Sequence, residues 1–378
     1  MRGQAGSAVV PGPWAGVGLA LVCACGSGEP ARGPTPDPFP LPIPKIDVHT
    51  HIDPRATGIA LAIFDDHGIG TALNLSGGMP GEGLEEVVAA ARSTNGRILV
   101  LCNLDWSRAL EPGFGEWAQG VLERAKAAGA IGLKIPKALG LGYRLPDGSL
   151  LAVDDPRLDA VFEKAGALGM PVLIHTGDPR AFFEPATREN ERYDELSVHP
   201  DWSFADRTLF PTFGELLASF ERRVARHPGT TFVGAHLGNA AEDPDFVGRM
   251  LERHRNYFID TAARVPEFGR HDPVRMKRFF ERWQDRILFG TDLGVSRRGL
   301  MLGSPGREPP TRDDVRRFFD AHWRYFETSR RAFAHPTPIQ GAWTIDGIDL
   351  SREVLEKIYR GNAARVFRIP APTTLAPH

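Results

Sequence analysis

Cysteine is scarce. The chain of 378 residues has three, and two of them, Cys23 and Cys25, fall in an N-terminal segment, so Cys102 alone remains in the body of the chain. An internal disulfide framework is thereby excluded whatever the redox compartment, and stability has to come from a buried core. Long basic runs are absent as well, and the formal net charge is −2. Without a clustered positive surface the chain lacks the electrostatic footprint of a nucleic-acid partner, which leaves small-molecule chemistry.

Long hydrophobic runs are also missing. The apolar run from Trp14 to Ala24 is too short to cross a bilayer but has the length of a signal h-region, with Arg2 ahead of it. It ends in Val22-Cys23-Ala24-Cys25, which resembles a bacterial lipobox. The expectation is an export signal over 1–25, with Cys25 the acylated first residue of a periplasmic or membrane-anchored lipoprotein. The alternative is an unstructured cytosolic tail. Residues 26–44 then form a spacer, because EPARGPTPDPFPLPIP carries a proline at almost every second or third position and favours extended polyproline structure.

What is present is a globular composition, 42% hydrophobic and 24% charged, sufficient for one large barrel or two domains. From Lys45 onward, short apolar runs alternate with segments of helical period. The runs are KIDVHTHI, TALNLSGG, RILVLCNLDW, AIGLKIPKAL, PVLIHTGDP, TFVGAHLGN, YFIDTAAR and RILFGTDLG; the helical segments include GLEEVVAAARSTN, GEWAQGVLERAKAAG, FGELLASFERRVARH and PVRMKRFFERWQ. Eight apolar strands, each followed by a helix, predict an α/β fold of the TIM-like (β/α)8 type over 45–369, with a C-terminal helical extension and a short tail over 370–378. A doubly wound sheet is the alternative.

In such a barrel the chemistry lies at the C-terminal ends of the strands. There the sequence places His49 and His51 (strand one), Lys134 (late in strand four), His175 (five), His236 (six) and Asp292 (eight). His49 and His51 are two apart and so share a face of their strand. A lone H-x-H is as readily a pair of hydrogen-bonded histidines, and each of the other residues alone could cap a strand or helix. Their meeting on one rim instead predicts a metal site.

These motifs resemble the amidohydrolase superfamily, in particular its amidohydrolase-related branch of metal-dependent hydrolases and decarboxylases. The resemblance rests on DVHTH at Asp47 to His51, LIHTGDP around His175, GAHLGN around His236, LFGTD ending at Asp292, and IYRGNAARVF from Ile358. It implies that His49, His51, His175 and Asp292 bind a divalent cation, most often zinc, with His236 a further ligand or a catalytic group beside it. Lys134 stands where binuclear members carry a carbamylated lysine bridging two metals, whereas the branch most resembled usually uses one; the resemblance thus implies one cation, or two if Lys134 is carbamylated, with Lys134 a carbamate ligand or a substrate contact. The cation would acidify a water, Asp292 would take its proton, and His236 or Lys134 would polarise the substrate carbonyl.

Between strands five and six, RAFFEPATRENERYDELSVHPDWSFADRTLF exceeds ordinary barrel-loop length and reads as a lid, with Phe182, Phe183, His199, Trp202 and Phe204 available to line a pocket. His199 is a further candidate for acid-base chemistry. Past strand eight, Glu327 and Trp343 receive no role, and His67, His227, His254, His271, His322 and His335 read as structural. The leading expectation is a hydrolase of a small amide, lactone or ester. A non-oxidative decarboxylase, distinguished by release of carbon dioxide, is the alternative, and a non-catalytic metal- or ligand-binding lipoprotein is a third.

Overall fold

Eight short runs dominated by branched and aromatic apolar residues form the parallel strands of a barrel in the computed structural model, which describes residues 39–373. The export segment, the lipobox-like VCAC with Cys25 and most of the proline-rich spacer lie outside the described residues, as do residues 374–378. The strands are β1 (Lys45–Ile52), β2 (Ile69–Asn74), β3 (Ile98–Cys102), β4 (Gly132–Ile135), β5 (Val172–Ile174), β6 (Phe232–Gly234), β7 (Tyr257–Asp260) and β8 (Ile287–Leu288). Each pairs in parallel with the next. Every strand lies next to its sequence neighbour, so the (β/α)8 barrel is realised and the doubly wound alternative is not.

The seam between β8 and β1 is closed in two stages. Val48 donates its N–H to Phe289 O (3.0 Å) and Asp292 donates to His49 O (2.8 Å). Beyond Asp292, β9 (Leu293–Ser296) pairs in parallel with Thr50–Ile52 of β1. A buried carboxylate fastens the same seam: Asp47 Oδ1 accepts from the backbone N–H of Thr291 and of His49, while Asp47 Oδ2 accepts from the Thr291 hydroxyl.

Helices cover the outer face as the periodicity predicts, over Leu84–Arg92, Phe114–Ala128, Phe213–Arg226 and Pro273–Arg282 among others. Phe213–Arg226 shows why: Thr212 and Glu215 form a capping box at its start, and Phe213, Leu216, Leu217, Phe220 and Val224 form its buried stripe. The barrel interior holds Ile46, Val48, Leu101, Leu173, Val233 and Leu288, and the motif IYRGNAARVF packs against them through Ala363, Val366 and Phe367. On the side where β1 begins, Lys45 is buried under the Trp323 and Tyr359 rings, and Glu327 accepts from Leu41 N and Tyr359 Oη. Glu327 therefore belongs to the end of the barrel away from the imidazoles.

The segment after β8 departs from the purely helical extension expected. It begins with a hairpin, β9 turning at Arg297-Arg298 into the antiparallel β10 (Gly299–Leu302), and it later contains a small pair, Phe333–Ala334 with Thr344–Ile345. The hairpin was not legible because an Arg-Arg turn lacks the Asn-Gly or Asp-Gly signal of a tight β-turn. Helices Arg312–Glu327 and Asn362–Phe367 supply the helical part. Among the described residues no helix is long and apolar enough to cross a membrane.

Candidate metal centre

Strand β1 delivers two imidazoles to the rim through an irregularity. Ile46 and Val48 belong to the barrel interior, yet His49 and His51 line the cavity above it, and the β1–β2 register shifts between Asp47 and Thr50. Such a shift re-aims side chains next to a site. It lets the upper half of β1 change the phase facing inward, so Asp47 turns into the seam while both histidines face the cavity.

The donors converge as a cation would require. His49 Nε2 lies 3.6 Å and His51 Nε2 3.5 Å from Asp292 Oδ1. Their other ring nitrogens are committed outward, His49 Nδ1 to Asp260 Oδ2 at 2.9 Å and His51 Nδ1 to Ser76 Oγ at 2.7 Å. His236 Nδ1 donates to Ala262 O (2.9 Å), which leaves a lone pair on Nε2, and that atom faces His175 Nδ1 at 3.3 Å. Two facing imidazole nitrogens need a proton or a cation between them. This donor set fits a divalent metal, with a nitrogen-rich and single-carboxylate composition suited to zinc, manganese or iron alike.

The electrostatics favour the same state. Burial pushes the His49 and His236 imidazoles well below their usual pKa, His51 down to about 3 and His175 to about 4, so all four are neutral and can ligate. Burial raises the Asp292 carboxyl to about 7, against the opposing charges of Lys134 and Arg264, and raises Asp260 to about 6. Lys134 Nζ lies 3.4 Å from His49 Nε2, and burial lowers it to about 8, against the pull of Asp260 and Asp292. The backbone here is bent into the left-handed region at His236 (φ 59°), Leu237 (φ 54°), Ala263 (φ 54°) and Asp292 (φ 64°). Such conformations are disfavoured for side-chain-bearing residues and concentrate at functional sites.

Of the four expected ligands, His49, His51 and Asp292 lie within mutual reach, and His175 joins them across the cavity through His236. Trp202 and Phe182 line the cavity, as the lid reading requires. His199 does not: it stacks behind Trp202 at 4.1 Å between ring centroids, and its Nε2 is engaged with Pro305 O at 3.2 Å, so it holds the lid rather than facing substrate. Phe183 and Phe204 pack on each other, Phe183 also on Phe213 of the covering helix and Phe204 on Phe210. Trp343 donates to Pro266 O, away from the donors.

Sequence reasoning missed Asp260, Asp178, Arg264 and Glu195. Asp260 ends β7 as Asp292 follows β8, and the same signal, a carboxylate closing an apolar strand in FIDT, was available. Its Oδ1 accepts from His236 N (2.8 Å) and Ala262 N (3.1 Å) while Oδ2 holds His49. His49, His236 and Asp260 also cluster closely enough to suggest a cation, but these satisfied hydrogen bonds make Asp260 the carboxylate behind the ligands. Glu195 comes from the lid and is held by Arg192 and Ser304; Arg192 also pairs with Glu267, all of them buried.

The cavity encloses about 250 Å³, room for a small molecule. A larger cleft of about 550 Å³ between Leu302–Pro310 and helix Arg312–Glu327 contains none of His49, His51, His175 or His236, so the convergent donors belong to the smaller one.

Barrel and donor set together define a TIM barrel whose rim brings His49, His51 and Asp292 close enough to hold a metal ion. A family model described as Amidohydrolase matches residues 46–369, and the chain belongs to that family. No curated protein matches it. Among solved structures, a TIM-barrel protein from Bordetella bronchiseptica is 15% identical over 83% of each chain, with a TM-score of 0.51, and shares the fold. A probable 2-pyrone-4,6-dicarboxylic acid hydrolase from Acinetobacter baumannii is 12% identical over 86% of this chain and 100% of its own, with a TM-score of 0.48. A dihydroxybenzoic acid decarboxylase from Polaromonas sp. JS666, with bound manganese, is 15% identical over 86% and 96%, with a TM-score of 0.47.

Asp260→Asn tests the carboxylate behind the ligands. The two backbone N–H groups demand an oxygen at Oδ1, so the amide nitrogen must face His49 Nδ1. His49 would then carry its proton on Nε2, the atom that should ligate. The expected outcome is a folded protein whose metal affinity, measured by chelator competition, falls by roughly 10- to 100-fold.

Proposed function

We propose that this protein is a metal-dependent hydrolase that uses an activated water to open a small amide, lactone or ester, with one zinc ion per chain. The observation that carries the reading is the convergence of His49 Nε2 and His51 Nε2 on Asp292 Oδ1 while their Nδ1 atoms are engaged elsewhere. A divalent cation bound there supplies an acidified water and a polarised carbonyl. The chain supplies the remainder. Asp292, partly buried at the cavity wall and raised toward neutrality, takes the water proton and returns it to the leaving atom. Lys134 is the better donor to the substrate oxygen, because His236 Nδ1–H is engaged with Ala262 O and its Nε2 can only accept. Phe182 and Trp202 narrow the cavity and exclude bulk water.

One observation supports the decarboxylase alternative. Arg264 is 7% exposed, lines the cavity, and among the described residues pairs with no carboxylate, donating only to Ala263 O. An unpaired guanidinium is a natural seat for a substrate carboxylate. A panel of small amides, lactones and esters beside unsaturated and aromatic carboxylates separates the readings. Ring or amide opening without carbon dioxide is the expected result, carbon dioxide release moves the assignment to the decarboxylase, and inertness at full metal occupancy counts against both.

Asp292→Asn keeps shape and an oxygen donor but cannot take a proton. Metal-replete variant should lose roughly 10² to 10⁴ in turnover; retention within about tenfold of wild type would remove Asp292 from the proton-transfer role.

Lys134 bears on metal count. An ammonium repels a second cation and a carbamate would bridge two, so elemental analysis should return one metal per chain both in wild type and in Lys134→Ala. Two metals in wild type, with loss of the second in the variant, would establish the carbamylated form.

A further inference from the structure

The motif LIHTGDP carries a second acidic group that the reading above leaves unused. Asp178, three residues after His175, is 6% exposed and lines the cavity. Its Oδ1 lies 3.4 Å from His175 Nε2, and its Oδ2 is 2.7 Å from Lys137 Nζ. Lys137 stands three residues after Lys134, beyond the end of β4, and its ammonium lies over the Trp202 ring at 4.1 Å from the centroid. Trp202 in turn is backed by His199, which reaches Pro305 O. A continuous chain of contacts thus runs from the lid and the segment after β10 to the imidazole at the end of β5.

A histidine can offer a lone pair at only one ring nitrogen, and the partner of the other nitrogen decides which. His175 Nδ1 faces His236 and the convergence of donors, while Nε2 faces Asp178. We propose that Asp178, anchored by Lys137 under Trp202, is a positioning residue that holds the His175 proton on Nε2 and so presents Nδ1 to the cation. The proposal rests on the reading of His175 as a metal ligand. It assigns the lid a part in metal binding, since Trp202 covers the lysine that fixes the carboxylate. The Asp178 carboxylate suits the role by its geometry: one oxygen is anchored by the Lys137 ammonium, which leaves the other for His175.

The test is a mutant cycle read as metal affinity of the full chain, using zinc and a competing chelator. In Asp178→Asn the ammonium of Lys137 demands the amide oxygen, which turns the amide nitrogen toward His175 Nε2 and forces the proton onto Nδ1. Affinity should fall by roughly 10- to 100-fold. In a Lys137→Met background the amide is free to rotate, so the same Asp178→Asn change should cost less than about threefold. Equal losses in both backgrounds, or wild-type affinity in Asp178→Asn, would overturn the proposal. Proton-nitrogen correlation spectra of the zinc-loaded wild type read the assignment without any substitution: a zinc-bound Nδ1 with the proton on Nε2 of His175 supports it, and a zinc-bound Nε2 refutes it. If wild type itself binds no metal, the metal reading fails and not merely this refinement of it.

Discussion

Closure of the barrel between its last strand and its first is the constraint on which the site depends. β8 has only two residues in regular pairing, and the seam is completed by the carboxylate of Asp47, by Val48 N to Phe289 O and by Asp292 N to His49 O. The last of these bonds joins the backbones of two residues whose side chains meet in the cavity. The distance between His49 Nε2 and Asp292 Oδ1 is therefore set by main-chain hydrogen bonding in a buried seam, where an unpaired polar group is costly. Gly290 belongs to the same constraint: a Cβ there would stand 3.0 Å from His49 Cβ, so a side chain just beyond β8 would press on the His49 side chain.

Around that seam the protein keeps its ligands neutral and its carboxylates behind or beside them. His49 and His236 are buried and His51 and His175 partly so, which holds their imidazoles below the usual pKa, while desolvation raises Asp260 and Asp292 toward neutrality. Left-handed backbone at His236, Leu237 and Asp292 shows local conformational preference yielding to the geometry of the rim. The lid is keyed into this arrangement at two places, through Glu195 with Arg192 and Ser304, and through Trp202 over Lys137. Both keys bring charged groups into the cavity wall already paired, which leaves Lys134 and Arg264 as the cations there with no carboxylate partner among the described residues.

The sequence by itself determined the barrel and the main donors, because both depend on local periodicity. Apolar runs of strand length alternating with amphipathic helices leave few topologies, and a polar residue closing such a run has to stand on the active rim. His49, His51, His175, His236, Lys134 and Asp292 were legible on that ground. The tertiary structure alone decided the rest, since each remaining feature is a pairing between distant segments. Which nitrogen of His49, His51 and His236 is free follows from Asp260, Ser76 and Ala262, contributed by other strands or loops. His199 read as a pocket residue because the sequence shows a polar aromatic in a lid but not the ring of Trp202 that covers it. The hairpin after β8 was illegible because its turn carries no conventional signal, and its strand forms only because the open edge of β9 stands beside it.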